Sequence, residues 1–138
     1  MRNITVAIAL DERMGIAFNN RRQSRDRIMI EDLIESQTGK IYVSDYSKEL
    51  FLDFKDRIEV VNDPLNECKD GECCFVELCD IKKHLNEISM LIIYYWNRHY
   101  PSDITLSANL NGYTLVSTKE FAGSSHEKIT RKIYKINL

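Results

Sequence analysis

The densest group of residues with chemical potential is NNRRQSRDR, residues 19–27, which places four arginines within seven positions. Guanidinium groups at this density repel one another, so each needs a compensating partner: a bound anion, a carboxylate of the same chain, or water. The nearby acidic residues are Asp11, Glu12, Asp26 and Glu31. The segment therefore predicts either an anion-binding site or a set of individually weak surface ion pairs.

A second reactive group is GSSHE, residues 123–127. Histidine gains and loses a proton near neutral pH, so His126 beside Glu127 is a candidate acid or base. The hydroxyls of Ser124 and Ser125, together with the turn at Gly123, can hold an anion or can simply form a hydrogen-bonded turn. A histidine that bonds only to backbone is the alternative role for His126.

Metal chemistry is not predicted from the remaining ligand-type residues. The cysteines share one short stretch: Cys68, Cys73, Cys74 and Cys79. Their spacing lacks the C-x2-C pairs of structural zinc sites and contains no histidine, so reduced structural cysteines are expected.

Composition is that of an ordinary globular protein. The 138 residues contain 19 basic and 21 acidic side chains, a formal charge of −2. The length predicts one domain, residues 1–138, and the charge balance disfavours a nucleic acid as partner unless a local basic patch binds it. The longest apolar run, residues 90–96, is too short to cross a bilayer, and the N-terminus lacks a signal-like region. A cytoplasmic protein with no membrane partner is expected.

Apolar spacing predicts alternating strands and helices along the first half. Residues 3–10 alternate as a strand, and residues 11–24 form a long polar connection. A helix follows over residues 25–36, with Ser24 as N-cap and Gly39 beyond its end. The further predicted elements are strands at 40–44 and 57–61, a helix at 45–54 and a loop at 62–72.

The second half continues with a strand at 73–78, a helix at 80–88 and a strand at 89–97 that is apolar on both faces. Two alternating strands, residues 112–118 and 128–136, close the chain. The order predicts an α/β fold with a mixed, mostly parallel sheet, helices on both faces and an antiparallel C-terminal hairpin.

The order of elements and two long segments resemble dihydrofolate reductases. Residues 4–20, ITVAIALDERMGIAFNN, are similar to the family's opening, where a strand runs into D-x-x-x-G-I-G-x-N-G. Residues 100–136, from YPSDITL to KIYKI, are similar to its last two strands and their connecting loop. The resemblance covers nearly the whole chain and implies a dihydrofolate-reductase-like fold.

The same resemblance implies that the reductase machinery is absent. In register with the family, residues 22–24 replace L-P-W, and Met29 stands where a helix carboxylate binds the pterin. Residues 43–50 lack the glycine and arginine that the family places over the cofactor phosphates, and residues 77–80, ELCD, replace its paired glycines. NADPH-dependent reduction is therefore the least favoured function, and no cofactor is predicted.

Three segments are also similar to a small family of short bacterial proteins that sometimes carries a ribonuclease Z label. They are RRQS-x-D at residues 21–26, WNR-x-YP-x-D at 96–103 and GSSHEKIT at 123–130. Metallo-β-lactamase-type ribonucleases bind two zinc ions through H-x-H-x-D-H and further histidines. The three histidines here, His84, His99 and His126, contain no such pair, so the label is not expected to describe the activity.

In the reductase fold, the loop after the first strand packs beside the loop joining the last two strands, so the resemblance implies one composite site. Its candidate catalytic residue is His126. The candidate ligand-binding residues are Arg21, Arg22, Ser24, Arg25, Asp26, Trp96, Asn97, Arg98, Ser124, Ser125 and Glu127. Arginines, hydroxyls and an aromatic face together are the groups that hold phosphates and nucleotides. No metal ligand is predicted among them.

Such a site favours binding of a small anionic ligand, a nucleotide or phosphorylated metabolite. One alternative is a metal-independent hydrolase or ribonuclease, in which His126 transfers protons and arginines stabilise phosphate charge. Another is a protein-interaction scaffold. Structural roles compete at single positions: Asp26 can cap the helix that follows it, and Trp96 can belong to the core.

Overall fold

The computed structural model describes residues 2–137. Its elements in chain order are β1 (Ile4–Leu10), β2 (Gly15–Phe18), β3 (Arg21–Arg22), α1 (Arg27–Ser36), β4 (Ile41–Val43), a 3-10 helix (Lys48–Arg57), β5 (Ile58–Val60), α2 (Pro64–Glu67), β6 (Cys73–Val76), a 3-10 helix (Lys82–Glu87), β7 (Ile88–Tyr95), β8 (Ile104–Thr105), a 3-10 helix (Leu110–Gly112), β9 (Tyr113–Phe121) and β10 (Ile129–Ile136). No helix within residues 2–137 is long and apolar enough to span a membrane.

Seven strands form the main sheet in the order β5-β4-β6-β1-β7-β10-β9. Strand β1 pairs in parallel with β6 and with β7, and β4 pairs in parallel with β5 and β6. Strand β10 runs antiparallel to both β7 and β9. The predicted fold class, a mostly parallel sheet with an antiparallel C-terminal hairpin, is confirmed.

Each face of the sheet is covered by its own apolar layer. On one face, Met29 and Leu33 of α1 pack with Phe51, Ile92 and Trp96. On the other face, side chains of β1, β6 and β7 pack with Leu65 of α2 and Ile81. Because helical segments lie on both faces, the central strands are buried on both sides, which explains their continuous apolar sequence.

The long polar connection predicted over residues 11–24 contains two strands that the sequence analysis did not predict. These are β2 and β3, which form a small separate sheet with β8. Asn19 and Asn20 both have positive φ, 53° and 58°, which is the backbone of a two-residue hairpin turn between β2 and β3. The Asn-Asn pair flanked by short strands was the sequence signal for this turn.

Three further local predictions were corrected. The loop predicted at 62–72 contains α2, which Asp63 caps and Pro64 begins. The helices predicted at 45–54 and 80–88 are 3-10 segments, the first with non-helical backbone at Phe51 and Phe54. Helix α1 is capped by Asp26, two residues beyond the predicted Ser24, and ends at Gln37 before Gly39.

Candidate functional site

The side chain of Asp26 joins the first loop to the final hairpin. Its Oδ1 atom accepts hydrogen bonds from the backbone N–H groups of Ile28 and Met29, at 3.0 and 3.2 Å, and so caps α1. The same carboxylate accepts from the backbone N–H of Ser124 at 3.0 Å and of Ser125 at 2.8 Å. Residues 24–26 and 123–126 are therefore direct spatial neighbours.

Hydrogen bonding keeps Asp26 ionised although its side chain is fully buried. Burial raises the pKa of Asp26, but hydrogen bonds from His126 and from the backbone of Ser124, Ser125 and Met29 outweigh this effect and lower the pKa to about 2. An ionised carboxylate accepts hydrogen bonds only. The nitrogen of His126 that faces it must therefore carry a proton.

His126 links Asp26 to two hydroxyl groups. Its Nδ1 lies 3.0 Å from Asp26 Oδ2. Its Nε2 lies 3.0 Å from Ser24 Oγ and 3.0 Å from the Tyr100 hydroxyl. Because Nδ1 carries the proton in the neutral ring, Nε2 is free to accept one from a hydroxyl. The result is a continuous hydrogen-bond chain from Asp26 through His126 to Ser24.

Aromatic packing and a glycine turn hold this histidine in place. The ring of Trp96 stacks on that of His126, with centroids 4.6 Å apart and planes 19° from parallel. The backbone N–H of Gly123 donates to the carbonyl of His126 at 2.9 Å and closes the turn. A Cβ atom at Gly123 would lie 2.8 Å from Asp26 Cγ and 2.9 Å from Ile129 Cδ1, so only glycine permits this approach.

Asp11 positions the opposite wall of the site. Its buried carboxylate accepts from the backbone N–H of Gly15 at 2.7 Å and of Tyr100 at 3.2 Å, and from Gln23 Nε2 at 3.2 Å. Burial raises the pKa of Asp11, but its backbone hydrogen bonds give a net lowering. Asp11 thereby fixes Tyr100 and the first loop relative to each other.

A small cleft of about 20 Å³ lies between α1 and the carboxyl ends of β1 and β6. Its lining consists of Ala9, Ile16, Arg22, Gln23, Ser24, Arg25, Asp26, Met29, Leu50, Phe75, Val76, Glu77 and Trp96. In open α/β sheets, ligands bind outside the carboxyl ends of the strands where the strand order changes direction, and β1 is that point in this sheet. Ser24 thus belongs both to the hydrogen-bond chain and to the cleft.

Arg22 is held by carboxylates of the chain itself. Its guanidinium lies 2.8 Å from Glu77 and 2.6 Å from Glu49, and 4.3 Å above the ring of Tyr46. Burial raises the pKa of Glu77, and the charge of Arg22 opposes this effect. Of the arginine partners expected from the sequence, only Glu31 is used, at 3.6 Å from Arg27. The ion-pair partners predicted for Arg22 from nearby positions in the sequence were therefore wrong.

Arg25 also lines the cleft, and its ion pair is weak. Its side chain is 59% exposed, and its guanidinium lies 3.6 Å from Glu49. An exposed pair at this distance contributes little to stability, so Arg25 can turn towards a bound group.

Seven of the predicted site residues lie outside the cleft lining: Arg21, Asn97, Arg98, Ser124, Ser125, His126 and Glu127. All of them except the buried His126 are exposed, and the Asn97 side chain donates to the Lys128 carbonyl and the Thr130 hydroxyl. The backbone N–H groups of Ser124 and Ser125, expected to face a ligand, instead face Asp26. The turn therefore binds a carboxylate of its own chain.

Sequence reasoning missed two residues of the site, Tyr100 and Glu77. Tyr100 lies in the WNRHYP segment, where the Tyr-Pro pair indicated only a turn. Glu77 directly follows the buried strand β6, and a carboxylate just beyond the end of a buried parallel strand was the available signal.

Comparison with known proteins identifies the fold and leaves the activity open. No family model matches the sequence, and no curated protein matches it. The structure is similar to dihydrofolate reductase from Enterococcus faecalis complexed with NADP(H) and RAB-propyl, with a TM-score of 0.68 over 98% of this chain and 96% of that chain. The fold is thus dihydrofolate-reductase-like.

Sequence identity to that reductase is 10%, so the likeness concerns the fold alone. The ribonuclease Z label has no support, since no family model matches.

Proposed function

We propose that the protein is a hydrolase in which Ser24 is the nucleophile, His126 the general base and Asp26 the group that orients the histidine. The observation that carries this proposal is the hydrogen-bond chain Asp26–His126–Ser24, whose two contacts both measure 3.0 Å. A nucleophile, a base within hydrogen-bond reach and a third group that orients the base are the components of serine-dependent acyl transfer. The cleft leaves room beside Ser24 for a group about the size of one water molecule.

The first half of the reaction forms an ester on the enzyme. Ser24 Oγ attacks the substrate carbonyl carbon while its proton moves to Nε2 of His126. The tetrahedral intermediate then collapses, the bond to the leaving alcohol breaks, and the alcohol takes the proton from Nε2. Asp26 remains ionised throughout because its pKa is about 2, and it stabilises the charged imidazolium.

Water completes the cycle by the same steps. A water molecule gives its proton to Nε2 as it attacks the acyl carbon, and the bond to Ser24 Oγ breaks as Oγ recovers that proton. The carboxylic acid leaves and the site is restored. Arg25, at the exposed side of the cleft, is the cation that favours negative charge developing on the carbonyl oxygen.

The surroundings of the site support hydrolysis over reduction. Met29 lines the cleft where the resemblance to reductases implies a carboxylate. A neighbouring groove of about 340 Å³ lies at the carboxyl ends of β4 and β6, and among residues 2–137 its lining contains Asp63 and Glu77 but no lysine or arginine. Phosphates of a dinucleotide would meet the carboxylate of Asp63 there without a cation in the lining.

Reaction with a fluorophosphonate tests the proposal, because this reagent phosphonylates an activated serine. Intact-protein and peptide mass spectrometry should find one adduct, on Ser24, and Ser24→Ala should remove it. Ser125→Ala is the matched control, since Ser125 contributes its backbone N–H to Asp26 and keeps it in the variant. Absence of an adduct on the unmodified protein, or an adduct that persists in Ser24→Ala, would overturn the proposal.

Binding of a small anionic ligand without catalysis is the second candidate. A cavity of about 230 Å³ beside α1 is bordered by Arg25 and Arg27, and each has its ion pair at 3.6 Å. Phosphate, ATP and NADPH can be compared by thermal shift, since a ligand raises the melting temperature according to its affinity for the folded state. Stabilisation that is lost in Arg25→Ala supports this function, and no stabilisation by any of the three counts against it.

A further inference from the structure

One buried oxygen atom of the cleft lacks a hydrogen-bond partner. Gln23 lines the cleft beside Ser24. Its Nε2 donates to Asp11 Oδ2 and to the carbonyl of Pro101, both at 3.2 Å, and these two acceptors fix the orientation of the amide. Its Oε1 is buried, and within residues 2–137 it has no hydrogen-bond partner. Because a buried acceptor without a donor is unfavourable, Oε1 requires a donor from outside the chain.

The size of the cleft fits one water molecule as that donor. A cavity needs a volume of about 10–15 Å³ to hold a water, and this cleft has about 20 Å³. A buried water also needs about two to four polar partners. Besides Gln23, the cleft is lined by Ser24, Arg22 and Glu77, whose side chains donate or accept hydrogen bonds. The same volume is too small for an acyl group.

We infer, on the basis of the proposed hydrolase function, that Gln23 holds the water molecule that hydrolyses the ester on Ser24. Gln23 Oε1 accepts a hydrogen bond from this water and so turns a lone pair of the water oxygen towards the acyl carbon. The acyl group lies on the other side of Ser24, at the solvent-facing mouth where Arg25 is 59% exposed. Water and acyl group therefore occupy different sides of the nucleophile.

The hydrogen bond between Ser24 and His126 supplies the base for this water. Ser24 Oγ lies 3.0 Å from Nε2 of His126. When Ser24 carries the acyl group, its hydroxyl no longer donates to Nε2, so Nε2 can accept from the water. The water oxygen bonds to the acyl carbon as its proton moves to Nε2, the bond from that carbon to Oγ breaks, and Oγ takes the proton from Nε2. Gln23 itself transfers no proton, so it is a positioning residue.

Two substitutions remove the oxygen and leave the hydrogen-bond chain intact. Gln23→Met keeps the length of the side chain without an amide oxygen. Gln23→Lys also lacks an acceptor, but its ammonium group can replace Nε2 as the donor to Asp11 and Pro101. Gln37→Met is the matched control, because Gln37 follows α1, lies outside the cleft lining and bonds through its amide to Ser36 at 3.3 Å.

The experiment follows the reaction with p-nitrophenyl acetate. Stopped-flow absorbance measures release of p-nitrophenol, which reports acylation, and intact-protein mass spectrometry measures loss of the acetyl group from Ser24, which reports deacylation. In both Gln23 variants the acetylated protein should accumulate, because deacylation should slow by about 10- to 100-fold. Acylation and labelling by the fluorophosphonate should change by less than about threefold. Gln37→Met should match the unmodified protein in both steps.

The two steps separate positioning of the water from a structural role of Gln23. A loosened first loop would slow acylation and deacylation together, so equal slowing of both steps, or no slowing, would overturn the role of Gln23 and leave the hydrolase proposal standing. Selective slowing of deacylation in Gln23→Met but not in Gln23→Lys would assign the effect to the lost donor bonds and would also overturn it.

The remaining outcomes concern the hydrolase proposal itself. A fluorophosphonate adduct on Ser24 without hydrolysis of the acetate ester would reject the held water alone. Absence of both the adduct and any hydrolysis that depends on Ser24 would overturn the two proposals together.

Discussion

Replacement of Asp26 by asparagine removes one charge from the centre of the site and keeps the size of the side chain. The remaining oxygen can still accept from the backbone of Ile28 and Met29, so the cap of α1 persists. The new amide group replaces Oδ2, which accepts from Ser125 N–H and from Nδ1 of His126. Donors then face donors in a buried position, and two hydrogen bonds are lost.

The size of the effect follows from the pKa of Asp26, about 2 in the folded protein against an ordinary 3.8. At about 1.4 kcal/mol per pKa unit, ionisation of this carboxyl contributes about 2.5 kcal/mol to the free energy of unfolding. The side chain is 0% exposed, so solvent does not screen these contacts. Because the folded pKa is lowered, the contribution is complete above the unfolded pKa and is lost as the pH falls through about 2.

Urea unfolding of the unmodified protein and Asp26→Asn, from neutral pH down to about pH 2, measures this contribution as a difference. We expect the free energies of unfolding of the two proteins to differ by about 2.5 kcal/mol at neutral pH. The two values should converge at low pH, because a protonated Asp26 carboxyl also presents a donor. Asp45→Asn, 80% exposed, is the control and should change stability by less than about 0.5 kcal/mol. A difference for Asp26→Asn that is independent of pH, or below about 1 kcal/mol at neutral pH, would refute this reasoning.

Three further predictions concern the surroundings of the site. Gly123→Ala should destabilise the protein by about 1–3 kcal/mol in urea unfolding, because its Cβ overlaps Asp26 and Ile129, whereas Gly39→Ala has nothing within 4 Å and should be tolerated. Arg22→Ala should cost about 3 kcal/mol because it leaves Glu77 buried without its cation, and a second change, Glu77→Ala, should restore part of that loss. Cys79 is the exposed cysteine and should be the one thiol that a disulfide reagent modifies rapidly in the folded protein. The rate of modification should rise in the alkaline range, because burial and neighbouring carboxylates raise the pKa of Cys79. Rapid reaction of all four thiols without urea would contradict the buried placement of the other three.

Much of the architecture could be predicted from the local pattern of apolar residues in the sequence. The alternation in residues 3–10 and the doubly apolar segment 89–97 predicted central strands, and the observed β1 and β7 both lie inside the sheet. The first helix was placed correctly, but its cap moved from Ser24 to Asp26. Ser and Asp are equally good caps, so propensity did not decide between them. The Asp26 carboxylate also accepts hydrogen bonds from the backbone of Ser124 and Ser125, which lie far along the chain, and these contacts favour Asp26 as the cap.

The site was predicted only in outline. The resemblance to reductases brought residues 19–26 beside the final hairpin, and Asp26 and His126 do meet across 100 positions. The roles within that cluster differ from those expected: Arg22 bonds to Glu77, 55 positions away, and the serine turn holds Asp26. The sequence predicted which residues would gather at the candidate site, but it did not predict which of them contact each other.

The sequence by itself determined the periodicity of the elements, the apolar faces and the order of the main strands and helices along the chain, because these depend on interactions within a few residues or on the average pattern of a segment. The tertiary structure alone decided which carboxylate faces which cation, which nitrogen of His126 faces Asp26, and that Ser24 shares a cleft with Met29 and Phe75. Hydrogen bonds and ion pairs act over about 3 Å, and that proximity is set by strand order and packing between distant segments.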